Sequence, residues 1–277
     1  MRGGTRLFAI ATRYGLIEHA RNRFAMLLVV LYIPVWVSLV RLAISDAPVR
    51  FRLQATGRVL VADGNLITQI SGALNAVTLI VGFMMFAATF SSGAFDRRLS
   101  MAGYPRVPLG LAKVACLVLS SAAVAVYATA VICCQWSPRQ PALLAVALLC
   151  AAMTYGALGV ALGTLLRREV EGMFAIVMIS VVDLGLQNPI ASSGANGAVV
   201  QWLPSYGAMQ AATAASFSVG TPLEYFVVQL VWFAASALVG LLAFRRRTRS
   251  ALRGGGRPHR RVPASRVPEK STQAERR

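Results

Sequence analysis

The chain has 277 residues, of which 56% are hydrophobic and only 14% charged, and its formal net charge is +18 at pH 7. A soluble domain usually carries about a quarter charged residues, so this composition excludes an ordinary soluble enzyme or binding domain. The charges are gathered into a few clusters, and the apolar runs between the clusters are long enough for membrane helices, which need roughly 20 residues each.

Six apolar runs predict six transmembrane helices, at about 24–44, 66–90, 114–134, 142–166, 172–187 and 223–244. The fifth run is the shortest. In lipid only helices and closed barrels provide hydrogen-bond partners for all backbone N–H and C=O groups. The ten-residue alternating strands of a barrel are absent from the sequence. The predicted fold class is therefore all-α, a polytopic membrane protein with a six-span domain over residues 24–244.

Residues 1–23 are predicted to form an interfacial elbow helix that lies on the membrane surface. Leu7, Ile10, Tyr14 and Ile17 fall on one helical arc, and the arginines at its edges can extend toward lipid headgroups. The alternative is that this segment serves only as a positively charged topology anchor. After the first span, residues 45–65 are predicted to form a polar outer loop.

The basic residues are distributed unevenly along the chain. Most of the 28 Lys and Arg residues lie before the first span, within 95–113, or after the last span. The positive-inside rule then places both termini and the 91–113 loop in the cytoplasm. Topology accounts for most of the net charge, so no nucleic-acid partner is predicted. The Gly-, Pro-, Ser- and Arg-rich segment 245–277 is predicted to be a disordered basic cytoplasmic tail.

The loop between the second and third spans contains the sequence FDRRLSMAGYPRVPLGLAK, residues 95–113. Phe95, Leu99 and Ala102 have the spacing of one apolar helix face, and Asp96 lies where a carboxylate suits the helix dipole. The pattern predicts a short helix of two turns, which is either part of an ordinary loop or a rigid lever that contacts a partner.

The predicted short helix is followed by a corner. Gly103 is a natural helix terminator, and Pro105 prevents continuation of the helix. Pro108 can then open the next helix in its first turn, which carries Lys113 at the membrane edge.

Residues 187–222, between the fifth and sixth spans, contain no charged residue although they are predicted to lie outside the cell. Such a segment is typical of short helices that dip into the outer leaflet and pack against protein. It is predicted to form a re-entrant segment, either as an outer gate or as interfacial packing. The residues proposed for the gate are Pro189, Trp202, Pro204 and Tyr206.

Asp183 is the one carboxylate well inside an apolar run. An ionisable residue at that depth is a functional-site hypothesis by default, and it could bind a cation or a proton in a secondary transporter. Alternatively, near a broken span end, it could reach water or backbone N–H groups.

The layout resembles the type-2 ATP-binding-cassette (ABC) transporter permeases. In this family the loop between spans two and three holds a coupling helix that rests on the nucleotide-binding subunit, and an acidic-Arg cluster is followed by Leu, Pro and Lys. The resemblance covers residues 5–245, including the elbow helix and the Pro-containing outer segment. It implies an ATPase-coupling interface formed by Phe95, Asp96, Arg97, Arg98, Leu99, Gly103 and Pro105.

The resemblance implies a permease subunit of an ABC exporter, driven by a separate ATPase subunit that binds ATP-Mg. It also implies pairing with a second copy or with another permease chain. The chain itself has no G-x-x-x-x-G-K-[ST] motif, because neither Lys113 nor Lys270 follows a glycine. Both histidines lie outside the apolar runs, so no catalytic residue, metal site or cofactor of its own is predicted.

The excess of Arg over Lys together with abundant Ala favours a bacterial gene, and hence the bacterial cytoplasmic membrane. Two alternatives to the exporter subunit are left open, a secondary transporter that uses Asp183 and a non-transporting membrane scaffold.

Overall fold

A computed structural model describes residues 2–54, 57–101, 106–192, 194–195 and 197–254. Its helices are α1 (Arg2–Arg21), α2 (Arg23–Leu27), α3 (Ile33–Ala43), α4 (Gly64–Met101), α5 (Arg106–Gln135), α6 (Pro141–Leu165), α7 (Glu169–Gln187), α8 (Tyr206–Phe217) and α9 (Leu223–Gly254). A π-helical turn, Leu28–Tyr32, joins α2 to α3, and a 3-10 turn, Ala198–Trp202, precedes α8. Two strands, β1 (Pro48–Leu53) and β2 (Arg58–Asp63), lie between α3 and α4.

Five helical segments in the described part of the chain are long and apolar enough to cross a membrane. They are Ala25–Ala43, Gly64–Gly93, Pro108–Gln135, Pro141–Leu165 and Leu223–Ala243. These segments support the predicted class, a helical polytopic membrane protein. The predicted fifth span falls on α7, a helix of 19 residues that begins with Glu169 and Glu171 and is not one of the five. Six spans and cytoplasmic termini therefore stay predictions.

The segment 45–65, predicted as a polar loop, is largely an antiparallel β-hairpin, so the fold is not purely helical. Its register pairs Pro48 with Asp63 and Leu53 with Arg58. The side chains of β1 alternate, because Phe51 and Leu53 are buried whereas the arginines between and before them are exposed. This alternation of period two is the strand pattern, and it places the apolar face of the hairpin against α4 and α8.

The prediction of a separate short helix at residues 95–102 is wrong, because α4 continues without interruption to Met101. Phe95, Asp96, Arg97, Arg98 and Leu99 therefore lie on the last two turns of one helix of 38 residues, and the Arg98 side chain is exposed. No residue between the apolar span and Met101 breaks a helix, so the span continues as one helix through the charged residues.

The predicted corner at Gly103 and Pro105 lies outside the described residues. The next helix, α5, begins at Arg106, so Pro108 is in its first turn as the sequence predicted. At the other end of the chain, α9 continues through the first basic residues to Gly254. The predicted disordered tail therefore begins with almost three turns of helix, and residues 255–277 lie outside the described part.

Helix α6 is at the centre of the helical packing, where it contacts α4, α5, α8 and α9. Its contact with α4 is made by small residues. A Cβ atom on Gly159 would overlap the carbonyl oxygen of Gly82, and one on Gly163 would lie 3.0 Å from the carbonyl oxygen of Phe86. In lipid, helices associate through such close backbone approach rather than through the hydrophobic effect.

The predicted elbow segment is indeed a helix, α1, and it packs along α5. The Sγ atom of Cys116 on α5 lies 3.5 Å from the carbonyl oxygen of Thr12 on α1. A Cβ atom on Gly15 would lie only 2.7 Å from the same Sγ, so the two helices are in close contact.

Candidate functional site

Asp183 is at the centre of a buried polar cluster, and its side chain is only 1% exposed. Its Oδ2 atom accepts hydrogen bonds from the Tyr155 hydroxyl at 2.5 Å and from the backbone N–H of Ser205 at 3.0 Å. Its Oδ1 atom accepts a hydrogen bond from Gln187 Nε2 at 2.5 Å. The carboxylate therefore accepts three hydrogen bonds. One of them comes from a backbone N–H group, which was the alternative to an ion-binding role in the sequence analysis.

The cluster connects three elements of the fold, α6, α7 and the start of α8. Asp183 and Gln187 are four residues apart on α7 and therefore share one face of that helix. Tyr155 projects from α6, and Ser205 directly precedes α8. Gln187 Nε2 also donates to Ser205 Oγ at 2.9 Å, so the start of α8 is held to α7 by two side chains.

In the part of the chain that the structure describes, Asp183 is the only buried side chain among the Asp, Glu, Lys, Arg and His residues. A carboxylate in an apolar interior is costly unless hydrogen bonds replace its hydration. Here these bonds come from Tyr155, Gln187 and Ser205, so the arrangement fits a structural anchor as well as a binding group.

Ser180 and Gln229, both uncharged, also link helices, and the sequence analysis did not identify these links. Ser180 on α7 contacts α4, where Thr78 Oγ1 lies 2.9 Å and Asn75 Nδ2 lies 3.1 Å from its Oγ. The only signal in the sequence is the presence of polar residues within apolar runs, which marks interhelical contacts in membrane proteins.

The second link is made by Gln229 of α9. Its Nε2 atom donates to Thr154 Oγ1 on α6 at 2.6 Å and to the carbonyl oxygen of Pro204 at 3.0 Å, and its Oε1 atom accepts from the Ala208 N–H at 2.9 Å. The start of α8 is thus fixed from α9 as well as from α7.

The residues predicted for an outer gate differ in how far they are exposed. Trp202 is 78% exposed, whereas Tyr206 is only 7% exposed and packs edge-on against Tyr225, with ring centroids 5.9 Å apart. Pro189 and Pro204 are half-buried. Of the two aromatic residues in this set, only Trp202 therefore has an exposed ring.

The helix α8, which follows Pro204, is buried along almost its whole length. It is flanked by the hairpin residues Phe51 and Leu53, which pack in a cluster with Ala214. This is the short protein-packed helix that the uncharged composition of 187–222 predicted.

The Asp183 cluster and the predicted coupling residues lie near opposite ends of α4. Asn188, close to the cluster, donates to Ser71 Oγ on α4 at 3.0 Å. Phe95 lies 24 residues further along the same helix, which corresponds to roughly 36 Å at 1.5 Å per residue. The two regions are therefore separate candidate sites, joined by one helix.

Within the described ranges, no group of three or more His, Cys, Asp and Glu side chains could hold a metal ion. No family model matches the chain, and no curated protein matches it significantly. A functional assignment therefore rests on the residues and their geometry.

Proposed function

We propose that this chain is the membrane subunit of an ABC exporter, driven by a separate ATPase subunit. The observation that carries the proposal is the extension of α4 beyond its apolar span. The apolar segment ends at Gly93, but the helix continues to Met101 through Asp96, Arg97 and Arg98. Such a rigid charged extension can transmit movement from a partner at its end into the span.

The proposed partner is an ABC ATPase that contacts the end of α4 and the connection to α5. The coupling interface would consist of Phe95, Asp96, Arg97, Arg98, Leu99, Gly103 and Pro105. ATP-Mg would be bound by the ATPase, and the chain would pair with itself or with a related permease. The proposed location is the bacterial cytoplasmic membrane, with both termini and this interface in the cytoplasm.

The proposed orientation predicts which positions an impermeant thiol reagent can reach in intact cells, in a background from which the native cysteines have been removed. Cysteine introduced for Gln54, directly after β1, should react. Cysteine introduced for Ser100, near the end of α4, should react only after the membrane is permeabilised. Reaction at residue 100 in intact cells would contradict the orientation and, with it, a cytoplasmic ATPase interface.

The substitution Leu99→Asp is expected to abolish co-purification of the ABC ATPase from the native host. A buried anchor at a protein interface typically contributes about 2 kcal/mol or more, and a carboxylate cannot replace it in an apolar groove. The measurement is recovery of the ATPase by mass spectrometry and ATP hydrolysis, with the tagged full chain as bait.

The control for this substitution is Val61→Asp, which makes a similar change at an exposed position of the hairpin. It should leave recovery of the ATPase unchanged. Equal recovery with Leu99→Asp and with the unmodified chain would remove the end of α4 from the proposed interface.

The burial of Asp183 supports a second candidate function, a secondary transporter in which this carboxylate binds a cation or a proton. Its oxygens already accept hydrogen bonds from Tyr155, Gln187 and Ser205, so a transported ion would have to displace protein donors. A transport activity that persists without any ATPase and is lost in Asp183→Asn would favour this alternative.

A further inference from the structure

A cavity of about 840 Å³ lies between α1, the last turns of the α4 span and the first turns of α5. It is partly open to the outside of the molecule. Its volume is within the range of about 300–1,000 Å³ typical of small-molecule sites. None of the polar clusters described above contributes to it, so it is a separate site.

The cavity lies at the level where two apolar segments end. Its α4 lining runs from Met85 to Ser92, and the apolar segment of α4 ends at Gly93. Its α5 lining runs from Leu109 to Cys116, and the apolar segment of α5 begins at Pro108. In a bilayer this is the level at which acyl chains meet headgroups.

The lining of the cavity has an apolar part and a charged part. On α1, the apolar side chains of Ile10, Tyr14 and Ile17 are 50%, 69% and 40% exposed. A large exposed apolar surface on an interfacial helix is suited to contact with acyl chains. The charged part follows along the same helix and continues on α5.

The charged part contains Arg21 and Glu18 of α1 and Lys113 of α5. The Lys113 ammonium group donates a hydrogen bond to Ser92 Oγ at 3.2 Å, which holds it in the cavity wall. Burial lowers the pKa of His19 from its ordinary value of 6.5 more than the neighbouring Glu18 raises it. The neutral form of the imidazole therefore predominates at pH 7, and Glu18, Arg21 and Lys113 give the lining a formal net charge of +1.

We propose that this cavity binds an anionic phospholipid from the leaflet in which α1 lies. The lipid phosphate would be held by Lys113 and Arg21, and the acyl chains would cover Ile10, Tyr14 and Ile17. Glu18 can accept hydrogen bonds from headgroup hydroxyl groups. Basic pockets between helices near the membrane surface recognise anionic headgroups in this way. The cavity has this role whether or not the chain is an exporter subunit.

The test uses the full chain, purified in detergent and delipidated, and titrated with phosphatidylglycerol or phosphatidylcholine under native mass spectrometry. The unmodified chain should bind one phosphatidylglycerol more tightly than phosphatidylcholine. Lys113→Gln should weaken binding of phosphatidylglycerol about tenfold, because it removes a charge-assisted hydrogen bond from a partly buried site.

The matched control is Arg13→Gln, which removes the same charge from a different face of α1 that does not line the cavity. Its affinity for phosphatidylglycerol should stay within about twofold of that of the unmodified chain, as expected for a remote surface substitution. Arg21→Gln, an exposed position at the end of α1, provides the same test if Lys113→Gln does not yield folded protein.

Three results would overturn the proposal. The first is equal weakening by Lys113→Gln and Arg13→Gln, and the second is equal affinity for the two lipids. The third is displacement of bound phosphatidylglycerol by excess inorganic phosphate, since that anion cannot cover the apolar part of the lining.

Discussion

Replacement of Gly159 by alanine is expected to leave little folded protein. A Cβ atom at this position would overlap the carbonyl oxygen of Gly82 and lie 3.1 Å from the backbone nitrogen of Phe86. Both neighbours are backbone atoms, so the clash cannot be relieved by a side-chain rotation and α4 must move away from α6. Overpacking typically costs about 1–3 kcal/mol and occasionally more. A clash with two backbone atoms falls at the upper end of that range, and we expect loss of the monodisperse peak in size-exclusion chromatography.

The control for Gly159→Ala is Gly110→Ala on α5. A Cβ atom at Gly110 would meet nothing within 4 Å, and the residue is exposed. Alanine is favoured over glycine within a helix by about 0.5–1 kcal/mol, so this variant should be as stable as the unmodified chain or slightly more stable. A Gly159→Ala variant with an unchanged elution profile and melting temperature would contradict the close α4–α6 contact.

Asp183→Ala is expected to lower the thermal stability of the protein strongly. The substitution removes the acceptor of three hydrogen bonds and leaves the Tyr155 hydroxyl and the Ser205 N–H as buried donors without their partner. Each buried unsatisfied group costs about 1–3 kcal/mol, offset in part by removal of the buried charge, so we estimate a net loss of about 3 kcal/mol.

For a chain of this size a loss of about 3 kcal/mol corresponds to a fall in melting temperature of roughly 10 °C, measured by thermal unfolding in detergent. The control is Asp63→Ala, which removes an exposed carboxylate at the end of β2, directly before α4. It should have a much smaller effect, at most the roughly 1 kcal/mol typical of a residue that precedes a helix. Equal melting temperatures for Asp183→Ala and Asp63→Ala would contradict the role of Asp183 as an anchor of α8.

The stability measurement also distinguishes two candidate roles of Asp183, an anchor of α8 and a group that binds a transported ion. If Asp183 anchors the start of α8, then Tyr155→Phe, which removes one donor and retains the ring, should also lower the melting temperature, but by less. If Asp183 instead binds a transported ion, the ion itself should raise the melting temperature of the unmodified chain and not that of Asp183→Asn, because a ligand stabilises only the state that binds it.

Much of the helical framework could be predicted from the sequence alone. The length of an apolar run determines whether it can cross a bilayer as a helix. The five apolar segments were therefore found, with ends within three residues of those observed except at the third, which was predicted from residue 114 and begins at Pro108. The uncharged composition of 187–222 likewise predicted short packed helices, and α8 is one of them. Local rules also predicted the start of α5, because Pro108 suits the first turn of a helix.

Prediction from local sequence patterns failed where the same residues are compatible with two different structures. The apolar and charged residues after Gly93 fit either a separate short helix or a continuation of α4, and the continuation adds hydrogen bonds without a new helix nucleus, which is costly to form. The hairpin was overlooked because it comes after a span and its alternation covers only a few residues of β1, from Arg50 to Leu53. The hairpin becomes recognisable only when the pairing of β1 with β2 is known.

Only the tertiary structure decided which residues meet. Asp183 was recognised in the sequence because a carboxylate is conspicuous in an apolar run. Its partners were not, because Tyr155 and Ser205 are ordinary residues 28 and 22 positions away. The same holds for Gly82 and Gly159, whose contact depends on the crossing of α4 and α6. That an apolar run forms a helix follows from its own sequence, whereas a hydrogen bond or a close backbone contact between helices requires their relative position.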